Sequence, residues 1–465
     1  MQITITNGTL TQIQETLSPS SGYSLPSSIS VTGATSSYDS TTGELTLTSP
    51  TSTMSVSASA DVIPSISIGS LPLSKAYFGA NEISKIYYGQ TLLYEAQPAG
   101  YEIGFRGMSS STPALTRTGE AVGATWAATS GVIAIDGIDI TKIFGGYVGN
   151  DGEELTWDST NLVYKNGSTT YTGNVFVKIN RFFCKAYYDE GVLDGYDLYF
   201  GAEAPDATYQ DWFLGKDHCV VGCYKARGGG FSSGLQSKQG LSYNSATTAN
   251  AIVTAYKLNS STAYSLHEKW YNENAILQVL FMAIFATRQT TDVFPEATYR
   301  DRDDTRATGY MDSYRASSLF AYEPTGDSGK RGNMFLGIED FVGWSNELVA
   351  GVVLSDANIH TSLDYANFDY SGSYTDSGLD RPTTTDYITE LQQSDTIAGL
   401  LVPKTVGGSD STYFCDSNFY ASGTMVWYQG AFTPLANFGL FLFSGSYGAS
   451  TSNDNCAARL CGKPN

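Results

Sequence analysis

The sequence predicts an α+β protein in which small β modules precede a much larger mixed domain. Three observations predict this organisation. Residues 1–62 contain no Lys or Arg and consist of short alternating runs separated by turn residues. A ten-residue repeat follows between Ser74 and Leu93. From about residue 100 the elements become longer, and one segment after residue 260 has the signals of a helix.

The first segment, residues 1–62, is predicted to be a small immunoglobulin-like β-sandwich. Its runs QITITNGTL, SSISVTGAT, GELTLTS and TMSVSASA place Thr, Val, Ile and Ser at alternate positions. Alternation of this kind is typical of strands with one solvated face. The stretch 22–47 resembles the immunoglobulin-like repeats that serve as spacers in bacterial and phage surface proteins.

Residues 63–99 are predicted to form a short β-repeat attachment module and a linker. The copies SKAYFGANEI (Ser74–Ile83) and SKIYYGQTLL (Ser84–Leu93) share a Lys, an aromatic pair and a Gly at a spacing of ten residues. This spacing fits either two strands of one hairpin or a strand-turn repeat. The repeat resembles β-modules that precede the tip domains of phage tail proteins. YEAQPAG then indicates a linker, which places a domain boundary near residue 100.

The third segment, residues 100–465, contains the clearest helix, in SLHEKWYNENAILQVLFMAIFATR. Ser265 and Glu268 have the spacing of a capping box, so the helix is expected to begin there. A wide apolar face follows, from Trp270 to Ile284, and predicts a helix packed against a sheet in the core. A second helix is expected around Ala246–Leu258.

Composition limits the classes of partner. Apolar residues make up 41% of the chain and charged residues 15%, values that favour neither a disordered chain nor a membrane protein. The net charge of −20 disfavours nucleic acid as a partner. No secretory signal is recognisable in the first 20 residues. The 32 Tyr and 48 Gly, together with many Ser and Thr, are typical of recognition surfaces but also of β proteins rich in loops.

The chemistry-bearing residues do not form a catalytic motif. Six cysteines include the pairs Cys219/Cys223 and Cys456/Cys461, whose spacings differ from those of structural zinc sites, so free buried thiols are the default expectation. A polysaccharide depolymerase is the enzymatic alternative and would need two carboxylates about 5–10 Å apart; carboxylates are plentiful, but no motif pairs them. We therefore expect no enzymatic activity, no cofactor and no metal.

Five stretches between residues 100 and 465 together resemble one family. It comprises the phage tail and tip proteins whose domain has the C-type-lectin fold, in the variant related to formylglycine-generating enzymes. The stretches follow the family's order and are TPALTRTGEAVG, GNVFVKINRFFCKAY, EKWYNENAILQVLFMAIFATR, FLGIEDFVGWSNELVAGV and GLFLFSGSYGASTSNDNCAARL. The calcium motifs of lectins are not matched, because Glu323-Pro324-Thr325 and Trp344-Ser345-Asn346 each lack a required ligand.

The resemblance implies a C-type-lectin-like receptor-binding domain over 100–465. In that fold the two chain ends pair and the closing strand is core, which would account for the apolar run Leu440–Phe443. The loop after this run would lie on the ligand-binding face. The implied ligand-binding residues are Trp427, Tyr428, Tyr447, Ser450, Thr451, Asn453, Asp454 and Asn455. Trp427 and Tyr428 are expected to act as aromatic platforms, since such residues often supply most of the binding free energy of an interface.

The expected function is that of a phage tail fibre or baseplate tip protein, made in the host cytoplasm and located in the virion. It would bind a glycan or protein of the bacterial surface and contact other tail or baseplate subunits, without inserting into the membrane. Related tip proteins imply a homotrimer, since several weak sites together raise avidity. The alternative is a purely structural virion protein, a baseplate or decoration component without receptor contact. An ordinary solvated loop at 445–455 would equally fit that alternative.

Overall fold

The chain divides into two compact units, Met1–Gly100 and Tyr101–Asn465. The computed structural model describes residues 12–16, 29–32, 35–39, 44–48, 55–58, 67–68, 71–72, 77–78, 81–82, 85–88, 91–95, 100–226, 234–241, 248–295, 307–325, 332–343, 345–430, 439–451 and 456–465. These residues are mostly β-sheet and the helices are few, so the chain is richer in strands than the predicted mixed α and β elements suggest.

The described part of the first unit consists of strands. A three-stranded sheet has the order Gln12–Thr16, Glu44–Thr48, Thr35–Asp39. A four-stranded sheet has the order Thr91–Glu95, Lys85–Tyr88, Ser55–Ala58, Ile29–Thr32. Two small hairpins are Ser67–Ile68 with Leu71–Pro72 and Tyr77–Phe78 with Asn81–Glu82.

Each copy of the ten-residue repeat forms its own hairpin. Tyr77–Phe78 pairs with Asn81–Glu82 in the first copy, and Lys85–Tyr88 pairs with Thr91–Glu95 in the second. Of the two predicted alternatives, the strand-turn repeat is therefore the one that the structure contains. The four-stranded sheet also joins strands from both sides of residue 62, through the parallel pair Tyr88 and Val56.

The second unit contains four sheets in its described residues. An eight-stranded sheet has the order Thr169–Thr170, Val163–Asn166, Glu154–Asp158, Phe144–Val148, Phe176–Asn180, His218–Gly222, Leu460–Pro464, Tyr264–Glu268. Eight strands of a nine-stranded sheet follow in the order Thr375–Asp380, Asn358–Thr361, Asn346–Ser355, Thr424–Gln429, Phe443–Tyr447, Ser417–Tyr420, Asp386–Gln393, Leu401–Val406. The ninth strand, Cys456–Ala457, pairs with Asn346–Ser355.

The other two sheets have five strands each. The first has the order Thr116–Gly119, Tyr101–Arg106, Val192–Phe200, Phe183–Asp189, Gln210–Asp211. The second has the order Thr125–Thr129, Val132–Asp136, Ala321–Tyr322, Asn333–Phe335, Ile338–Glu339. The helices are Ile140–Ile143, Ala249–Tyr256, Tyr271–Phe285, Thr290–Val293 and Asp312–Arg315. None of these helices combines the length and the apolar character needed to span a bilayer.

The long helix Tyr271–Phe285 lies at the centre of the second unit. All of its 15 residues are buried, and it contacts strands of the nine-stranded sheet and of the first five-stranded sheet. A helix that is apolar on all sides needs such complete burial. Two of its polar side chains bind other elements: Asn272 donates to the Trp212 carbonyl (3.0 Å) and Gln278 to the Leu440 carbonyl (3.1 Å). The predicted core position is confirmed.

The predicted start of this helix is wrong. Ser265 and Glu268 lie in the strand Tyr264–Glu268, which pairs along its whole length with Leu460–Pro464. The helix begins after Trp270, whose backbone N–H donates to the Glu273 carboxylate (2.9 Å). A strand partner almost 200 residues away outweighs the local capping signal, because it pairs with every residue of 264–268. The second predicted helix is confirmed as Ala249–Tyr256, with Thr248 at its N-cap.

The expected pairing of the two ends of the large domain is also wrong. The strand Tyr101–Arg106 pairs with Thr116–Gly119 and Val192–Phe200, in another sheet than the C-terminal strand. Leu460–Pro464 lies between His218–Gly222 and Tyr264–Glu268 and is buried over its first four residues. Both of its edges are therefore occupied, and neither can accept the first strand of the unit.

Arg459, directly before the C-terminal strand, connects three sheets. Its side chain is 1% exposed and donates to the carbonyls of Gly222 (2.9 Å), Glu339 (3.2 Å) and Asp340 (3.1 Å). Its Nε also binds the Glu347 carboxylate at 2.9 Å. Only a planar guanidinium presents donors in so many fixed directions.

We predict that Arg459→Lys destabilises the second unit by about 3 kcal/mol, because lysine cannot bind Glu347 and three carbonyls at once. All six Trp residues lie in this unit, so urea unfolding followed by Trp fluorescence reports on it alone. Arg106→Lys is the matched control. Arg106 binds Asp197 at 2.9 Å and donates to the carbonyls of Phe105 (2.8 Å) and Tyr196 (3.1 Å), but its side chain is 25% exposed. Water can replace its bonds, so its replacement should cost less, about 1 kcal/mol. Equal losses in the two variants would contradict the role of Arg459.

Candidate functional site

The candidate site is built on the strand Phe443–Tyr447 near the C-terminus. This strand pairs antiparallel with Thr424–Gln429 and parallel with Ser417–Tyr420, inside the nine-stranded sheet. The run Leu440–Phe443 is buried, as predicted, although the strand itself begins only at Phe443. The segment that carries the loop thus starts inside the core.

Side chains bind the backbone where the run has no strand partner. The Leu440 carbonyl accepts from the side-chain amides of Gln278 (3.1 Å) and Gln429. The Leu440 N–H donates to the Thr290 hydroxyl (3.1 Å). Unpaired backbone groups at this depth would be costly. The turn before the strand is therefore held by the central helix and its surroundings.

Asp416 completes this support. Its carboxylate accepts the Phe441 N–H at 2.8 Å, and burial raises its pKa to about 8 despite that hydrogen bond. Gly439 passes directly above it, since a Cβ at this position would lie 2.5 Å from one carboxylate oxygen and 2.8 Å from the Thr290 hydroxyl. A glycine is therefore required at this approach.

The loop that follows reaches the surface. Tyr447 is partly exposed and packs edge-on against Tyr428, while Ser450 and Thr451 are exposed. The Asn250 side chain donates to the Ser450 hydroxyl (3.1 Å), and its backbone N–H donates to the Ala449 carbonyl (3.1 Å). The loop is thus fixed to the first turn of the helix Ala249–Tyr256.

Two of the predicted contact residues do not lie on the surface. Trp427 is 1% exposed and Tyr428 is 0% exposed, so the expected aromatic platform is wrong. Both belong to an interior strand of the nine-stranded sheet, where Trp427 stacks near Phe443 with ring centres 4.7 Å apart. Asn453, Asp454 and Asn455 lie outside the described residues. The structure brings Tyr447, Ser450 and Thr451 together.

Asn250 is a residue of the site that the sequence did not reveal. It lies 200 positions before Ser450, in the helix expected around residues 246–258. Asn in a first helical turn is commonplace, and no local pattern links it to a distant loop. Only the fold places it there.

The cysteines offer no reactive site in the described residues. Cys184, Cys219, Cys223, Cys415 and Cys461 are free and buried, which confirms the default expectation for these five. Burial raises the pKa of the Cys461 thiol, and thiolate chemistry is disfavoured there. Where side chains are described, no group of three or more His, Cys, Asp or Glu is placed to hold a metal ion.

The buried carboxylates have structural partners. Glu339 accepts the backbone N–H groups of Gly309 (2.9 Å) and Met311 (3.0 Å), and Asp312 accepts from the Tyr224 hydroxyl (2.9 Å) and binds Arg315 (3.0 Å). These bonds hold loops and sheets together deep in the fold. The exposed loop at Tyr447–Thr451 therefore stays the candidate site.

Comparison of the chain with family models and with curated proteins gives no match.

We predict that the wild-type protein loses stability as the pH rises because of Asp416, and that the Asp416→Asn variant does not show this loss. The folded carboxyl has a pKa of about 8, whereas the unfolded carboxyl titrates near its ordinary value of 3.8. The folded state therefore holds a proton that the unfolded state releases between these two values, and wild-type stability falls as pH rises through that window. The Asn side chain is uncharged throughout, so the advantage of the variant over wild type should grow from about pH 4 to about pH 8 and then level off.

Urea unfolding followed by Trp fluorescence across this pH range measures the effect. Asp410→Asn, at an exposed position of the same unit, is the control and should leave the wild-type profile unchanged. Parallel profiles for wild type and Asp416→Asn would refute the prediction.

Proposed function

We propose that this chain is a virion protein, a phage tail fibre or baseplate tip subunit that binds the bacterial host surface. The support is the five-stretch resemblance in residues 100–465, together with a terminal loop whose polar side chains are exposed at Ser450 and Thr451. The exposure of these polar side chains is the observation that carries the proposal. It rises from a buried strand and is fixed at its base, so its outer side chains are free to vary with little effect on folding.

The finer description of the large unit belongs to the same proposal. We propose that residues 100–465 form a C-type-lectin-like receptor-binding domain, with 1–62 as an immunoglobulin-like module and 63–99 as an attachment module. A homotrimer would present three copies of the loop and raise the avidity for a surface glycan or protein. No catalytic step, cofactor or metal is part of the proposed function.

The contact surface is proposed to centre on Tyr447, Ser450 and Thr451. Tyr447 supplies a partly exposed aromatic ring, and the two hydroxyls supply donors and acceptors that suit either a saccharide or a peptide backbone. Asn250 fixes the Ser450 hydroxyl in place. A site arranged in this way loses little entropy when it binds.

We predict that Thr451→Arg weakens binding of the full chain to host cells at least about tenfold, because a long charged side chain would occupy the contact surface. The assay measures binding of labelled protein to a panel of candidate bacterial strains. Thr160→Arg is the matched control, as it introduces the same side chain at another exposed Thr of the same unit. Both variants should unfold at the wild-type urea concentration.

The alternative of a purely structural virion protein makes the opposite prediction. If no strain binds the wild-type chain while it still assembles into particles, receptor recognition by this chain is refuted. Equal binding by both variants would refute the terminal loop as the contact surface.

A further inference from the structure

A half-open groove of about 300 Å³ lies between two hairpins of the second unit. One hairpin is formed by Phe183–Asp189 and Val192–Phe200, and the other by Asp386–Gln393 and Leu401–Val406. The lining residues are Tyr188, Leu193, Leu391, Gln392, Gln393, Asp395, Lys404 and Gly191. The volume is at the small end of the range for ligand pockets, ~300–1,000 Å³. None of these residues belongs to the terminal loop.

The first hairpin presents Tyr188 to solvent at the groove. A two-residue turn with positive φ at Glu190 (48°) and Gly191 (84°) closes the hairpin, the geometry that matches the twist of two paired strands. Tyr188 lies directly opposite Leu193, so both side chains are on one face of the ribbon. Leu193 is buried, but Tyr188 is 51% exposed. The local fold thus places an exposed aromatic ring beside a buried aliphatic side chain.

A bulge beside this pair is also anchored. The pairing shifts between Tyr187 and Tyr188, and Asp194 is the extra residue on the opposite strand. The Asp194 carboxylate accepts from the Ser109 hydroxyl (2.7 Å) and from the Gly107 N–H (3.2 Å). The bulge therefore cannot shift without breaking these bonds. Because Tyr188 lies next to the bulge, the same bonds hold its backbone in place.

The second hairpin contributes an oriented amide. The hydroxyl of Tyr196, a fully buried residue, donates to Gln393 Oε1 at 2.9 Å. This bond holds the amide oxygen, so the amide nitrogen points away from Tyr196. Gln393 and Tyr188 line the same groove, which therefore has an aromatic wall and a polar wall.

The charges at the rim do not form a binding site for a strong anion. Lys404 is 42% exposed and bound to Glu390 at 3.3 Å, and Asp395 adds a negative charge at the same rim. Phosphate or nucleic acid would need an excess of cationic groups. A neutral ligand with many hydroxyls fits the mixed donors and acceptors better.

We propose that this groove binds a neutral saccharide unit, with its C–H face against Tyr188 and its hydroxyls on Gln393, Asp395 and the amide oxygen of Gln392. The amide nitrogen of Gln392 donates to the carbonyls of Asp380 (2.5 Å) and Pro403 (3.2 Å). A pyranose has one face of C–H groups and a rim of hydroxyls, which complements an amphipathic ring beside planar amides. Leu193 and Leu391 form the apolar floor under the remaining C–H groups. The site is separate from the terminal loop and does not depend on what that loop binds.

Saturation-transfer NMR on the full chain tests this site, with the methyl glycosides of glucose, galactose, mannose and N-acetylglucosamine as probes. We expect at least one probe to bind in the millimolar range. Tyr188→Ala should weaken that binding about tenfold, the effect of losing roughly 1.4 kcal/mol of ring contact. Leu258→Ala is the matched control, since Leu258 is 56% exposed and does not line the groove.

Two results would overturn the proposal. One is the absence of a signal for all four probes with wild-type protein. The other is equal binding by wild type and Tyr188→Ala, with Trp fluorescence confirming that both are folded. Because the assay contains no cells, neither result bears on host attachment through the terminal loop.

Discussion

The second unit depends on the ion pairs that the buried carboxylate of Glu347 makes. Burial alone would raise the pKa of this group, but Arg459, Lys269 and Lys225 together lower it to about 2. Lys269 binds it at 2.5 Å and Arg459 at 2.9 Å, while Lys225 at 4.0 Å also donates to two carbonyls. Charges this deep are tolerated only when each has its partners, so the sheets that supply the partners must form together.

The terminal loop depends on that assembly through a chain of contacts. Gln429 accepts from the Lys269 ammonium at 2.7 Å and donates to the Leu440 carbonyl, at the base of the loop-bearing strand. The charge cluster and the candidate site therefore share one glutamine. A loop with such a rigid base can change its outer residues without loss of the fold, whereas a change at its base would affect the core.

Local patterns predicted the elements better than their partners. The central helix was recognisable from its wide apolar face, the helix Ala249–Tyr256 was also predicted, and the buried run Leu440–Phe443 was recognisable from its apolar side chains. The strand Tyr264–Glu268 was missed, because its partner strand lies at the other end of the unit. Ser450 was predicted but its partner Asn250 was not, for the same reason. Sequence-distant pairing leaves no local signal.

The tyrosines illustrate why composition alone could not locate a site. Abundant Tyr suggested recognition, yet Tyr224, Tyr256 and Tyr428 are fully or almost fully buried. A buried ring is retained where its hydroxyl finds a partner, as Tyr256 does at the Tyr365 carbonyl (2.7 Å). Much of the aromatic content thus stabilises the interior. Tyr188 differs from these three tyrosines, because it stays half exposed although the residue directly opposite it is buried. Exposure that the local fold fixes in place, rather than abundance, is what favours a binding role.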